Sequence, residues 1–171
     1  MEIPHRAAPS PATSHAMGVI LAIDYGKKRL GLALSDESGV TSRPFATWER
    51  TNRRRDLGRL RDLVRDERVR RIVVGLPLHL DGSPSEMSEE VKGFSERVRK
   101  ALGIPVDLMD ERLSSWEARQ TISAAEPRRQ TLRGSQARIE NRKKTPLDDV
   151  AAAIILRDYL QRARRQDGAR D

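Results

Sequence analysis

The chain's 171 residues are enough for one domain with a real core and hardly enough for two. The absence of cysteine excludes disulfides, zinc–thiolate sites and thiol nucleophiles and suits a reducing, cytoplasmic location, while two of the three histidines lie near the N-terminus, which argues against His-centred catalysis. The net charge of +8 and pI near 10.5 favour a polyanionic partner, although 27 Arg against 6 Lys shows that arginine bias supplies part of that excess; no apolar run approaches the ~18 residues of a membrane span.

Residues 1–16, rich in Pro, Ala and Ser, read as a disordered extension without the apolar stretch of a signal peptide, and Met17 is an alternative start. A single domain is expected over 17–163, with a flexible tail over 164–171. Val19 to Asp24 (VILAID) hardly alternates, as in a strand buried on both faces, and Asp24 closes it. After a basic turn, residues 29–36 place Leu30, Leu32 and Leu34 on one face and Gly31, Ala33 and Ser35 on the other, which predicts a hairpin. A third strand is expected over 42–48. Leu57, Leu60, Leu63 and Val64 mark a helix over 53–68, leading to a buried strand over 71–75.

Ser83 and Glu86 read as a capping box around Pro84, opening a helix with the stripe Met87, Val91, Phe94, Val98 and Leu102 and a stop at Gly103. Pro105 to Met109 form a fifth strand ending in Asp110-Glu111. Ser114 and Glu117 suggest another capped helix to about Ala124. Residues 126–144 then carry seven basic side chains against two acidic ones. Thr145 and Pro146 open a last helix, apolar nearly all round from Val150 to Leu156 and therefore buried. A three-stranded meander feeding βα units implies an α/β fold: a mixed five-stranded sheet with helices on both faces.

Asp24, Glu111 and Asp148 stand where a central strand, a later strand and a helix start can bring them together. A carboxylate ending a buried strand must be paired, hydrogen-bonded or bound to a cation. Taken singly, each is more often a cap or ion-pair partner, and Asp148 suits a helix N-terminus on electrostatic grounds alone. Asp149 is a close competitor of Asp148, and Asp110 of Glu111, where strand alternation lets only one of the two face a shared site. Phosphodiester hydrolysis needs positive charge against the phosphate, which hard divalent cations on carboxylate oxygens supply. The turn Tyr25-Gly-Lys-Lys-Arg-Leu-Gly31 puts Lys27, Lys28 and Arg29 beside Asp24, as a phosphate contact or as an ordinary solvated turn. Gly75 to Gly82 lies where α/β proteins place ligand-contacting loops, with His79 read as a loop residue. The basic stretch, with Arg142, Lys143 and Lys144, would track phosphates. Trp116 is a candidate for base stacking or for the core.

Four segments, IDYGKKRLGLALSD (23–36), IVVGLPLHLDG (72–82), DERLSSWEA (110–118) and LDDVAAAIILRDYL (147–160), resemble the YqgF/RuvX family of pre-16S ribosomal RNA nucleases, akin to Holliday junction resolvases. The resemblance spans nearly all of Val19 to Leu160. It implies an RNase H-like fold, Mg²⁺ or Mn²⁺ held by Asp24, Glu111 and Asp148, and a part in maturing the 5′ end of small-subunit rRNA. Phosphate contacts are then expected from Lys27, Lys28, Arg29, Arg112, Arg142, Lys143 and Lys144, on pre-rRNA or a pre-ribosomal particle. No membrane is involved, and a monomer is expected in preference to a dimer. The rival readings are a junction-cutting DNA resolvase, which would act as a symmetric dimer; a sugar-kinase or actin-like ATPase, which would need a second such domain; and a non-catalytic RNA-binding assembly factor. The N-terminal extension and the arginine-rich stretch depart from the family pattern.

Overall fold

The period-two pattern of residues 29–36 and the apolar run before Asp24 become adjacent strands at the centre of a sheet. In a computed structural model describing residues 18–111 and 148–167, the order is β1 (Val19–Tyr25), β2 (Arg29–Ser35), β3 (Ser42–Glu49), α1 (Arg53–Asp66), β4 (Val69–Leu76), α2 (Glu86–Leu102), β5 (Val106–Asp110) and α3 (Asp148–Asp167). The sheet runs β3-β2-β1-β4-β5. The first three strands pair antiparallel, and β1–β4 and β4–β5 pair parallel. The mixed five-stranded sheet expected from the sequence is therefore present.

The sheet separates two cores. On one face Leu21, Ile23, Leu30, Leu32, Leu34, Ile72 and Val74 pack against α1 and α2 through Leu60, Leu63, Val91, Phe94 and Val98. On the other, Ile20, Ala22, Ala33, Val73 and Met109 pack against α3 through Ala152, Ile155, Leu156 and Leu160. Central strands covered on both faces lose their alternation of apolar and polar residues, which explains VILAID. The small Ala22 and Ala33 let α3 lie close over β1 and β2.

One local expectation is corrected. The capping box of α2 is Ser85 with Ser88, not Ser83 with Glu86: Ser85 Oγ accepts from Ser88 N at 3.1 Å and Ser88 Oγ from Ser85 N at 2.9 Å. Asp81 captures Ser83 instead, its Oδ1 accepting from both Ser83 N and Ser83 Oγ at 2.9 and 2.7 Å. Pro84 bridges back to Leu78, closing the loop two residues before the helix begins. Ser85→Ala should therefore cost about 1 kcal/mol in urea unfolding, typical of a lost N-cap, whereas Ser83→Ala should leave α2 unchanged by circular dichroism. Gly103 ends α2 as expected, at φ 68°.

The middle of α3 is pinned to the sheet by a polar bridge. Asp107 Oδ2 on β5 accepts from Arg71 Nη1 on β4 at 2.7 Å and from Tyr159 Oη on α3 at 2.5 Å. Burial first, then the hydrogen bond to Asp107, pushes the Tyr159 phenol up to about 12 from its ordinary 10.0. A phenol that holds its proton more tightly when folded adds stability that is complete below pH 10 and is lost as the pH climbs from 10 toward 12. Tyr159→Phe should cost about 1–2 kcal/mol at neutral pH. It should also flatten the decline in urea midpoint between pH 10 and 12.

The expected helix over residues 114–124, the basic stretch 126–144, the helix opening at Thr145-Pro146, and Arg112, Trp116, Arg142, Lys143 and Lys144 lie outside the described residues.

Candidate active site

Register defines the site. Ile20 and Ala22 face α3, so alternation along β1 turns Asp24 to that face as well, at the strand's carboxyl end. On one side Asp24 pairs with Gly31. On the other, Ile23 is the partner of Val74, so the same parallel register sets Gly75 beside Asp24. The carboxylate thus stands between two strand positions that carry no side chain. Gly31 pairs onward with Thr47 and Gly75 with Met109, completing a row across the sheet. The Thr47 hydroxyl at one end of this row is buried without a hydrogen-bond partner among the described residues.

The room above the two glycines is filled by the other two acids. A Cβ on Gly31 would overlap the carbonyl of Asp148 and stand 3.0 Å from Asp148 Cβ. A Cβ on Gly75 would overlap the Glu111 carboxylate and stand 2.7 Å from Ile155 Cδ1. Glycine within a strand commonly marks such a close approach. The start of α3 is therefore set over β2, and the Glu111 side chain over β4, on either side of Asp24. All three acids are half-buried.

The members of both open pairs lie in different surroundings. Met109 faces α3; alternation turns Asp110 to the opposite face and Glu111 back toward Gly75, where its carboxylate stands. Asp148 lies over Gly31 and lines an open cleft with Gly26, Lys27, Lys28, Arg29, Glu49 and Arg50. Asp149 Oδ1 accepts from Val150 N at 2.9 Å. Among the described residues, no three His, Cys, Asp or Glu side chains form a ready-made metal-ligating group.

The basic turn is held by Arg50, which no sequence pattern singles out. Arg50 N donates to Lys28 O and Arg50 Nη1 to Gly26 O, both at 2.9 Å. Its guanidinium lies 4.4 Å from the centre of the Tyr25 ring, and its Nε is 3.7 Å from Asp56 Oδ2. These contacts fix the exposed Lys27, Lys28 and Arg29 beside Asp148. Only the place of an arginine just past a strand end hints at this role. His79 serves the loop after β4 through its backbone, its N–H donating to Ser83 O at 3.1 Å.

A central strand and an edge strand that carry acids at their carboxyl ends, β1 and β5, with a basic turn after β1, fit an RNase H-like sheet. The chain aligns with RuvC of Thermus thermophilus, solved in complex with a Holliday junction substrate, at a TM-score of 0.53 and 15% identity over 86% of this chain and 96% of that one. Within the class, the RuvX family, described as Holliday junction resolvase, matches residues 18–162, and the chain belongs to it. Relatives from several bacteria carry the name "Putative pre-16S rRNA nuclease". That of Koribacter versatilis is 38% identical over 152 residues, covering 89% of this chain and 91% of the relative. That of Anaeromyxobacter sp. (strain K) is 40% identical over 142 residues, covering 83% and 96%. No helix among the described residues is long and apolar enough to cross a membrane.

Proposed function

We propose that this protein is a divalent-metal-dependent nuclease that hydrolyses RNA phosphodiester bonds in maturing the 5′ end of pre-16S rRNA. The observation that carries the reading is the row Gly31–Asp24–Gly75, where two missing side chains admit Asp148 and Glu111 to either side of Asp24. Asp24, Glu111 and Asp148 are the proposed catalytic and metal-holding residues.

The residues suit such an ion. Their donors are all carboxylate oxygens, which match Mg²⁺ or Mn²⁺ rather than a thiophilic metal, and the glycine cradle would be filled by any Cβ. A bound divalent cation supplies positive charge against the scissile phosphate. Because the three acids do not form a ready-made ligand group, the reading requires their side chains to turn toward one another as a cation neutralises them. Lys27, Lys28 and Arg29 hold the substrate backbone in the cleft they share with Asp148. Arg112, Arg142, Lys143 and Lys144 extend that contact. The protein works as a cytoplasmic monomer on pre-rRNA or a pre-ribosomal particle.

The test is cleavage of a 16S leader transcript by the purified chain with Mg²⁺ or Mn²⁺ and with EDTA. Metal-dependent product supports the reading, and RNA binding without turnover in either metal favours an assembly factor instead. The description of the RuvX family favours a second reading, a junction-cutting DNA nuclease. Symmetric incision of a four-way junction, with a dimer on gel filtration and an uncut transcript, would select it.

A further inference from the structure

The crevice on the α1–α2 side of the basic turn is a second cationic site that the proposed chemistry leaves unused. It is walled by Lys27, Arg50, Arg53 and Arg97 together with Tyr25, Glu89, Glu90 and Gly93. It adjoins the Asp148 cleft, because Lys27 and Arg50 line both. Arg53, Arg50 and Arg97 also line a deeper recess over Asp56 and Phe94.

Two observations point to an anion in the crevice. Arg53 and Arg97 form no ion pair among the described residues, although neighbours on the same helices do: Arg65 lies 3.4 Å from Asp62 and Lys92 2.8 Å from Glu89. The glycine at position 93 leaves room for Arg97 to fold back over α2, since a Cβ there would stand 3.2 Å from Arg97 Nη1. Arg50 is not the open group here, because its Nε is paired with Asp56 Oδ2 at 3.7 Å; the charges unpaired among the described residues are those of Arg53 and Arg97. The two carboxylates at the rim are engaged, Glu89 with Lys92 and Glu90 with Lys27 at 3.7 Å.

We propose that Arg53 and Arg97 form a remote phosphate clamp, which grips the backbone of the same RNA strand several nucleotides from the bond cut beside Asp148. Charge of this kind holds a strand in register without reading its sequence. The proposal rests on the nuclease reading only for which strand is held. Arg50, shared by both cavities, links the clamp to the basic turn.

The experiment is fluorescence anisotropy in EDTA, with the full chain and two single-stranded RNAs of about 16 and about 4 nucleotides, the span of typical single-strand sites. For the longer RNA, Arg53→Gln/Arg97→Gln should raise Kd about tenfold at low salt. It should also flatten the plot of log affinity against log salt by about 0.7 for each phosphate no longer neutralised. The shorter RNA, held in the Asp148 cleft alone, should bind as before. Arg53→Lys/Arg97→Lys should keep most of the affinity, which separates loss of charge from damaged folding. Glu90→Gln should tighten the longer RNA about two- to threefold by removing a rim anion. An unchanged Kd and salt slope for the glutamine variant on the longer RNA would overturn the clamp. Arginine-dependent binding by a chain that cuts no transcript with either metal leaves the clamp standing and removes the nuclease reading. Cleavage with arginine-independent binding does the reverse.

Discussion

Asp24→Asn should abolish transcript cleavage while the chain stays folded. The substitution keeps the size and shape of the side chain, and Asp24 is half-buried, so the unfolding free energy should change by no more than about 1 kcal/mol. What it removes is the negative charge between the two glycines. In the proposed mechanism a cation that contributes several kcal/mol to charge stabilisation could then no longer be held there, and each ~1.4 kcal/mol is a factor of ten in rate. A fall of roughly a thousandfold or more in kcat is expected, read by gel assay with Mg²⁺ beside a thermal melt of both proteins. Face alternation adds an internal comparison: Glu111→Gln should be nearly as inactive, whereas Asp110→Asn, on the opposite face of β5, should keep most of the activity. An Asp24→Asn protein that melts normally and still cleaves would remove this acid from the chemistry.

Much of the frame is legible in the residues because periodicity reports burial. The Leu30, Leu32, Leu34 alternation and the Met87 to Leu102 stripe both face the predicted core. What periodicity misses are contacts made by absence or at long range. Gly31 reads as one more small residue on the strand face opposite Leu30. Only the pairing with Asp24, together with the arrival of α3 from the far end of the chain, shows that a side chain there has no room. The capping box is displaced for a similar reason. Ser83-x-x-Glu86 satisfies the local pattern, but Asp81 two residues earlier competes for the same serine, and the helix starts from the next serine instead. Arg50 shows no pattern at all, because its partners Gly26, Lys28, Tyr25 and Asp56 meet only when β1, β3 and α1 converge. The choice of Glu111 over Asp110 is open in the sequence because it depends on which of two neighbouring residues continues the Met109 face.

The glycines themselves give the second large effect, and they should separate folding from catalysis. At Gly31 the atoms that a Cβ would meet are the backbone carbonyl and Cβ of Asp148, at the start of a helix packed over four strands. Backbone held in this way cannot swing aside, so Gly31→Ala must push the helix start away from β2. Overpacking of this kind costs about 1–3 kcal/mol. A displacement of about 1 Å at a catalytic group can cost roughly a hundredfold in rate, so both stability and cleavage should fall. At Gly75 the first atom met is the end of the flexible Glu111 side chain, with Ile155 Cδ1 behind it at 2.7 Å. The carboxylate can rotate out of the way, so Gly75→Ala should cost less in the melt than Gly31→Ala yet still move Glu111 from its place over Gly75, depressing kcat more than stability. Gly58, on α1 with open space for 4 Å around the place a Cβ would take, is the control. Gly58→Ala should raise stability by about 0.5–1 kcal/mol through helix propensity alone and leave cleavage untouched. If Gly31→Ala and Gly75→Ala both behaved like Gly58→Ala, the two acids would not need the bare strip beside Asp24, and the proposed site would lose its structural basis.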